Sequence, residues 1–426
     1  MYNDFLDSPK GRLLAYRKRK KRAFEFWWSG KLQVKNSASL EESARFQTAL
    51  TQAMEVQQRR GPFTGPIIVE FHFWPATRNP PHVHQLAKHY LDLLQKPVEG
   101  ASIPRTRLLI RDDSQVEFLT CLYDPKMGED GLRVRVRRLS DFFKDLELYS
   151  DLAGGLLESR FEFTDVEDQS VDDSQVDDYL DFLERKTAFV RRYGQSTFES
   201  WDLMYKRDAQ TSLLSQRELK LKQLSILFRP KYHRLRDDPT LASIMRATSR
   251  MVRTGYEQPF MSIDFGARAL REGESKEFGE RVRKRLSKAK SRYPLLDPLL
   301  VPCGVTVLYL PPRNAPKVDL DNLLRKSIIP AVHEILQPPA TPRDFLTRIN
   351  TDTLEDPHFA DMLARYKQAP KFHVAGYQVF CLPRTDDDPE NGNVRLILHH
   401  GDPSHTPWQL LDDALTEWKE SDHWKE

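Results

Sequence analysis

The chain is poor in several kinds of residue, and each shortage excludes a class of protein. Among its 426 residues are only three cysteines, Cys121, Cys303 and Cys381, which lie in apolar stretches and form no Cys-x-x-Cys pair. Neither a disulfide framework nor a cysteine zinc site is predicted, and such cysteines suit a reducing compartment. No stretch approaches the roughly 18 apolar residues of a membrane-spanning helix, and the N-terminus lacks the apolar core of a signal peptide. We expect a cytoplasmic protein without a membrane partner.

The chain also lacks a large excess of charge of either sign. The net charge is +3, although 30% of the residues are charged and 39% are hydrophobic. Such a composition is typical of a folded protein with a large polar surface, and it gives no overall field that would mark a nucleic-acid binder. Any such signal must come from local clusters. The length favours two or three domains.

The sequence contains an internal duplication. A segment that starts at Gly65 (GPIIVEFHFW…) aligns with one that starts at Cys303 (CGVTVLYLPP…), and His82 then lies opposite Asp319. Each copy has the pattern strand–helix–strand–helix–strand–strand. We predict an α+β fold in which two β-α-β-α-β-β lobes form a single-chain pseudo-dimer. The predicted segments are a basic N-terminal arm (1–19), lobe 1 (20–145), a helical linker (146–256), lobe 2 (257–400) and a helical C-terminal tail (401–426).

The pentapeptide DDSQV occurs twice, at Asp112–Val116 and at Asp172–Val176. The first copy lies between LLIR and EFLTCLY, on or beside a buried strand, where paired acids are unfavourable unless a cation neutralises them. The second copy starts a stretch in which Val176, Tyr179, Leu180 and Leu183 have helical spacing, among many other acids. Acids at a helix start on a solvated face are ordinary. We therefore assign chemistry to the first copy only.

Lobe 2 contains a second acidic motif, Asp319-Leu-Asp321-Asn322-Leu-Leu-Arg325, on a predicted turn from a strand into a helix. Taken alone, this motif would be read as a helix N-cap. Two carboxylates two residues apart can also face the same way, and Mg²⁺ prefers a few carboxylates together with waters and phosphate oxygens. The motif therefore has both a structural and a metal-binding interpretation.

Together, D-x-D-N-x-x-K-x-x-L-D-x-L and a later D-D-x-Q-V resemble the RusA-type Holliday junction resolvases. The resemblance covers both lobes, and it implies a Mg²⁺-dependent endonuclease of branched DNA, nucleoid-associated if the source is bacterial. The two copies depart from the family in complementary ways. Lobe 2 keeps Asp319 and Asp321, has Arg325 in place of the family lysine, and reads Ala375–Val379 where the second motif is expected. Lobe 1 keeps Lys88 and the DDSQV at Asp112–Val116, but has His82-Val-His84-Gln85 in place of the first motif.

Three interpretations follow from this complementary loss. In the first, the lobes share one catalytic site: Asp319, Asp321 and Asp113, beside Asp112, hold Mg²⁺ or Mn²⁺, and Arg325 or Lys88 stabilises developing charge. In the second, His82 and His84 join the aspartates of lobe 1 around a softer metal such as Mn²⁺ or Zn²⁺. In the third, catalysis is lost and the protein is a branched-DNA-binding or scaffold protein.

Local basic clusters predict where DNA would bind. The run Arg17–Arg22 precedes the first strand, a basic helix lies in lobe 2, and alternating arginines follow one strand of lobe 1, whose charged face we expect to point outward. We also expect the protein to be a monomer, because its two lobes already form the pseudo-dimer, and to bind a further partner through the segment 146–256. The predicted DNA-contacting residues are Lys18, Lys20, Arg133, Arg135, Arg281, Arg283, Arg285, Lys288 and Lys317.

Overall fold

The structure is a computed structural model. It describes residues 8–77, 80–124, 128–155, 174–215, 221–228, 262–267, 274–292, 295, 297, 299–314, 319–336, 374–384, 388–400 and 406–420. Lys317, Asp172 and Asp173 lie outside these residues. The predicted α+β class is confirmed, because the described part consists of helices around one eight-stranded mixed sheet.

The strands of this sheet come from two separate regions of the chain. The first region contributes β1 (Phe24–Ser29), β2 (Ile67–Trp74), β3 (Val116–Tyr123) and β4 (Gly131–Arg138). The second region contributes β5 (Ser262–Gly266), β6 (Cys303–Leu310), β7 (Val374–Cys381) and β8 (Asn393–His400). The order across the sheet is β1-β4-β2-β3-β7-β6-β8-β5.

Helices fill most of the remaining described chain. Those before β5 are α1 (Pro9–Arg22), α2 (Leu40–Val56), α3 (Val83–Leu93), α4 (Leu139–Gly155), α5 (Ser174–Glu184), α6 (Lys186–Tyr193), α7 (Gln195–Ser215) and α8 (Leu221–Phe228). After β5 come α9 (Glu274–Arg292), α10 (Leu320–Leu323), a π-helical turn (Leu324–Ile328), α11 (Ile329–Ile335) and α12 (Pro407–Glu420).

The two halves of the sheet have the same strand order and the same strand directions. In each half the outer two pairings are antiparallel and the innermost pairing is parallel. Both parallel pairs have a register shift at the equivalent place, after Ile67 and after Cys303. The halves join through the antiparallel pair β3–β7, in which Thr120 lies opposite Gln378. These pairings are those of two half-sheets related by an approximate two-fold axis between Thr120 and Gln378.

One part of the sequence alignment is wrong. It placed Ala375–Val379 opposite Asp112–Val116, because both end in Gln-Val. In the structure Val116 begins β3 opposite Ile67, and Val374 begins β7 opposite Cys303. Val374 is therefore the equivalent of Val116, and Ala375–Val379 lies within a strand. Strand patterns alone fix register poorly when both faces are buried, as is the case for β7.

Helices cover both faces of the sheet. On one face α2, α3, α9, α10 and α11 pack over the larger apolar core, whose central side chains include Phe46, Tyr90, Val282 and Val332. On the other face α1, α4, α8 and α12 enclose a second core that includes Tyr16, Phe142, Phe228 and Trp408. The described residues thus form three layers, with apolar side chains on both sides of the sheet, as the burial of the central strands requires.

The predicted linker contributes to both cores, and its lower boundary falls inside a helix. Helix α4 runs through residue 145 and packs on the sheet, while α8 belongs to the second core and α7 contacts β8. Helix α5 starts at Ser174, but it buries Tyr179 and Phe182, whereas Leu180 is half exposed. The helix predicted at the second DDSQV is therefore present. Its buried side chains lie on a different side of the helix from the expected ones, since Phe182 is buried and Leu180 is not. No helix in the described ranges is long and apolar enough to cross a bilayer.

Candidate metal centre

The sheet topology brings the two acidic motifs together. Because β3 and β7 are antiparallel, the start of β3 lies beside the end of β7. Strand β6 is parallel to β7, so its end lies at the same edge of the sheet. The first DDSQV immediately precedes β3, and the chain after β6 leads to Asp319 at the start of α10. Motifs more than 200 residues apart therefore meet at the junction between the half-sheets.

Three carboxylates converge at this junction. Asp112, Asp113 and Asp319 each place a carboxylate oxygen within 4.8 Å of the others, and they form the one group of metal-ligating side chains found at this spacing among the described residues. Asp321 lies next to them and is 4% exposed. Apart from the 3.4 Å ion pair between Lys88 and Oδ2, its carboxylate oxygens have no hydrogen-bond partner among the described residues. The set predicted for the metal was Asp113, Asp319 and Asp321, so the structure adds Asp112 and places Asp321 at the side.

Lys88 is the cation at the centre of these acids. Its Nζ lies 2.8 Å from Asp113 Oδ2, 3.1 Å from Asp92 Oδ1 and 3.4 Å from Asp321 Oδ2. Burial lowers the pKa of Lys88, but Asp113 and Asp321 outweigh burial, so the pKa is raised overall. The side chain is therefore a permanent ammonium group that links Asp113 of the first copy to Asp321 of the second.

The pKa values of the aspartates reflect crowding of like charge. Burial raises the pKa of Asp319, and Asp113 and Asp321 raise it further. Burial also raises the pKa of Asp321, against the opposing effect of Lys88. The pKa of Asp112 is lowered, because its carboxylate accepts hydrogen bonds from Ser114. One lysine does not offset the repulsion at Asp319, and an additional cation would relieve it.

The loop that carries Asp112 and Asp113 is fixed by Gln115. Its Oε1 accepts hydrogen bonds from the backbone N–H groups of Arg111 (2.7 Å) and Asp112 (3.2 Å). Its Nε2 donates to the carbonyls of Phe63 (3.2 Å) and Gly65 (3.0 Å). The glutamine of DDSQV therefore ties the turn to the segment before β2 and holds the two aspartates at the start of β3.

The remaining polar residues of the lobe 2 motif form a short chain of hydrogen bonds. Asn322 Nδ2 donates to Asp319 Oδ2 (3.0 Å), and Arg325 donates to Asn322 Oδ1 (3.2 Å). Arg325 is thus in the π-helical turn behind the aspartates, whereas Lys88 makes the direct ion pairs. Single-turn π-helices are frequent at functional sites.

The histidines of the first copy lie apart from the aspartates. His82 and His84 are grouped with His333 of α11: the ring centroids of His82 and His333 are 4.4 Å apart, those of His82 and His84 5.5 Å. The second interpretation placed the histidines with Asp112 and Asp113 around one metal, and the structure does not bring that set together. The position of His333 in this cluster could not be predicted from the sequence, because no motif in the duplicated pattern marks it.

The expectation that Arg133 and Arg135 face outward is wrong. Arg133 and Arg135 alternate along β4 as expected, but their face of the strand points inward, and Arg135 is 6% exposed. Arg135 forms ion pairs with Glu70 (3.3 Å) and with Asp412 of α12 (2.8 Å), and stacks on Trp408. The C-terminal helix covers this arginine face, and that contact could not be read from the strand pattern.

In the other basic clusters, some side chains are exposed and others are paired or partly buried. In α1, Lys18 and Lys20 are exposed, while Arg19 and Arg22 are paired with Asp145 and Asp141 of α4. Residues 9–19 of the predicted arm therefore belong to a helix that packs on α4. In α9, Arg283, Arg285 and Lys288 are exposed, and Arg281 is half-buried, donating to the carbonyl of Ala267.

No protein-family model, curated protein or solved structure matches the chain.

Proposed function

We propose that the protein is a metal-dependent endonuclease of branched DNA, with one composite active site. The observation that carries this proposal is the convergence of Asp112 and Asp113 with Asp319, with oxygens within 4.8 Å of one another. Each copy of the duplication has half of the acidic motif pair, and the fold joins the halves. A shared metal ion would account for the meeting of the two motifs.

The residues present fit a hard divalent cation such as Mg²⁺ or Mn²⁺. All the converging donors are carboxylate oxygens, which these ions prefer. The raised pKa of Asp319, caused by burial and by neighbouring carboxylates, indicates a surplus of negative charge. Asp112, Asp113 and Asp319 would hold the ion, with Asp321 beside them. A bound ion supplies polarisation of the scissile phosphate and activation of a water molecule.

Lys88 would contribute as a cation and not as a base. Asp113 and Asp321 keep its pKa raised, so it retains its proton at any physiological pH. An ammonium group at this position can donate hydrogen bonds to a phosphate oxygen and stabilise the negative charge that develops during hydrolysis. Asp113 and Asp321 hold the side chain in place for this role.

DNA would be bound by exposed basic residues outside the acidic cluster. Lys18 and Lys20 of α1 and Arg283, Arg285 and Lys288 of α9 are exposed. Contacts of this kind bind the phosphate backbone without reading sequence, and they make the affinity depend strongly on salt. Preference for a branched structure is implied by the family resemblance.

A second candidate function is DNA binding without cleavage. One observation favours it: the Lys88 ammonium already neutralises Asp113 at 2.8 Å, where an active nuclease would rely on a metal. In that case Lys88 is a permanent counterion, and the acidic motifs serve only to join the two copies.

The two functions are distinguished by cleavage of a labelled four-way DNA junction, with linear duplex of the same sequence as the control substrate. We expect junction strands to be cut in Mg²⁺ but not in EDTA, and Asp113→Asn to abolish cutting. Asp178→Asn, an exposed acid on α5, is the matched control and should cut like the unsubstituted protein. Binding without metal-dependent cutting would support the non-catalytic function.

A further inference from the structure

The two-fold relation between the half-sheets gives the acidic cluster a counterpart. In the aligned copies, His82 takes the place of Asp319, His84 that of Asp321, and Arg325 that of Lys88. Val374 is the equivalent of Val116, so the sequence positions equivalent to Asp112 and Asp113 hold Pro370 and Lys371. In sequence, histidines thus take the place of two of the acids, and a proline and a lysine outside the described residues take the place of the other two.

The structure assembles this counterpart as a compact cluster. The ring centroids of His82 and His333 are 4.4 Å apart, and those of His84 and His333 6.2 Å. His84 is 7% exposed, and its buried Nδ1 has no hydrogen-bond partner among the described residues. Burial lowers the pKa of His84 to about 3, and His82, His333 and Arg325 add to the effect. A buried polar nitrogen without a hydrogen-bond partner among the described residues is a place where a water molecule, an ion or a ligand can bind.

The ligand that fits is an anion and not a metal cation. The three histidines do not bring their nitrogens within the 4.8 Å spacing at which the aspartates converge. The positive charge of Arg325 reaches His84 and would repel a cation. Helix α3 begins at Val83, so the positive end of its dipole lies in the same cluster. The N–H groups of Gln85 and Leu86 donate to the His82 carbonyl, so those of Val83 and His84 are the ones that a ligand could meet.

We propose that His82, His84, His333 and Arg325 form a phosphate-binding site that holds a DNA phosphodiester without cutting it. The identity of the phosphate as part of DNA rests on the proposed function, whereas anion binding does not. Neutral imidazoles donate hydrogen bonds to phosphate oxygens, and Arg325 adds a charged fork of donors. The protein would then cleave DNA at the acidic cluster and bind it without cleavage at the counterpart. Each molecule would therefore make one nick in a two-fold symmetric junction.

The test compares His84→Gln with His89→Gln. His89 is in the same helix and is 6% exposed, but it packs against Tyr90 and is not in the cluster, so it controls for the loss of a buried histidine. Binding of inorganic phosphate and of a four-way DNA junction is measured by calorimetry in EDTA, where no metal-dependent cutting occurs. If His84→Gln does not fold, His82→Gln, which alters a half-buried member of the cluster, takes its place.

We expect His84→Gln to weaken the binding of both probes about tenfold, the loss of one hydrogen bond to a charged group. His89→Gln should bind both like the unsubstituted protein. Phosphate binding that is the same in His84→Gln would overturn the inference. So would tight Zn²⁺ binding, measured in buffer without EDTA, that His84→Gln removes. A protein that binds phosphate through His84 but never cuts a junction would refute the nuclease proposal and leave the anion site standing.

Discussion

Replacing Asp319 by asparagine should change the stability of the protein in opposite directions with and without metal. Two unit charges at 4.8 Å, the upper limit on the oxygen separations in the cluster, repel by about 3.5 kcal/mol at an effective dielectric constant of 20. Lys88 and solvent screening at a half-buried site reduce this, leaving about 1 kcal/mol. In EDTA we therefore expect Asp319→Asn to be more stable than the unsubstituted protein by about 1 kcal/mol.

With metal the order should reverse. A ligand present at about 100 times its dissociation constant stabilises the folded state by about 2.7 kcal/mol. The unsubstituted protein should gain this amount in Mg²⁺, and Asp319→Asn, with one of three converging carboxylates lost, should gain little. The assay is denaturant unfolding in EDTA and in Mg²⁺, with Asp178→Asn as the control that behaves like the parent in both. If Asp319→Asn lowers stability in EDTA, or responds to Mg²⁺ like the parent, the carboxylates do not form a strained metal site.

Three more outcomes are expected. Asp113→Asn should abolish cutting of a four-way junction while its DNA affinity, measured by gel shift in EDTA, stays equal or rises, because a charge that repels phosphate is removed; weaker binding would count against the site. Charge reversal at Arg283 and Arg285 should weaken binding to all DNA sequences and reduce the slope of log affinity against log salt by about 2, and an unchanged slope would exclude α9 from the interface. Burial raises the pKa of Glu70, but Arg135 and His72 outweigh it and lower the pKa from its ordinary 4.5 to about 2. Ionised Glu70 therefore stabilises the fold above pH 4.5, and this stability is lost as the pH falls towards 2. Glu70→Gln should flatten the dependence of unfolding free energy on pH in this range, and equal acid sensitivity in parent and variant would contradict the assignment.

Much of the fold could be predicted from the duplicated hydrophobic pattern. Strand and helix spacing is local, so the element order in both copies could be read from the chain. The complementary loss of motifs also predicted which acids would meet, and Asp113 and Asp319 do lie together. The register of β7 could not be predicted, because its residues are buried on both faces. In such a strand a shift of a few positions leaves the apolar pattern intact.

Contacts between segments far apart in the chain could not be predicted from the sequence. Alternating arginines on β4 indicate one charged face, but only the packing of α12 determines that Arg135 is buried against Asp412. His333 likewise enters the histidine cluster because α11 lies beside the start of α3, and no local pattern predicts this. In both cases the deciding partner is more than 200 residues away along the chain.

The joining of both half-sheets in one chain has a consequence for how the site responds to dilution. A site built from two separate subunits is lost when the subunits dissociate, so its occupancy falls as protein concentration falls. Here the carboxylates on either side of the β3–β7 junction are tethered by a single polypeptide, and one half is present at a high effective concentration around the other. The acidic cluster therefore persists at any dilution at which the chain itself stays folded.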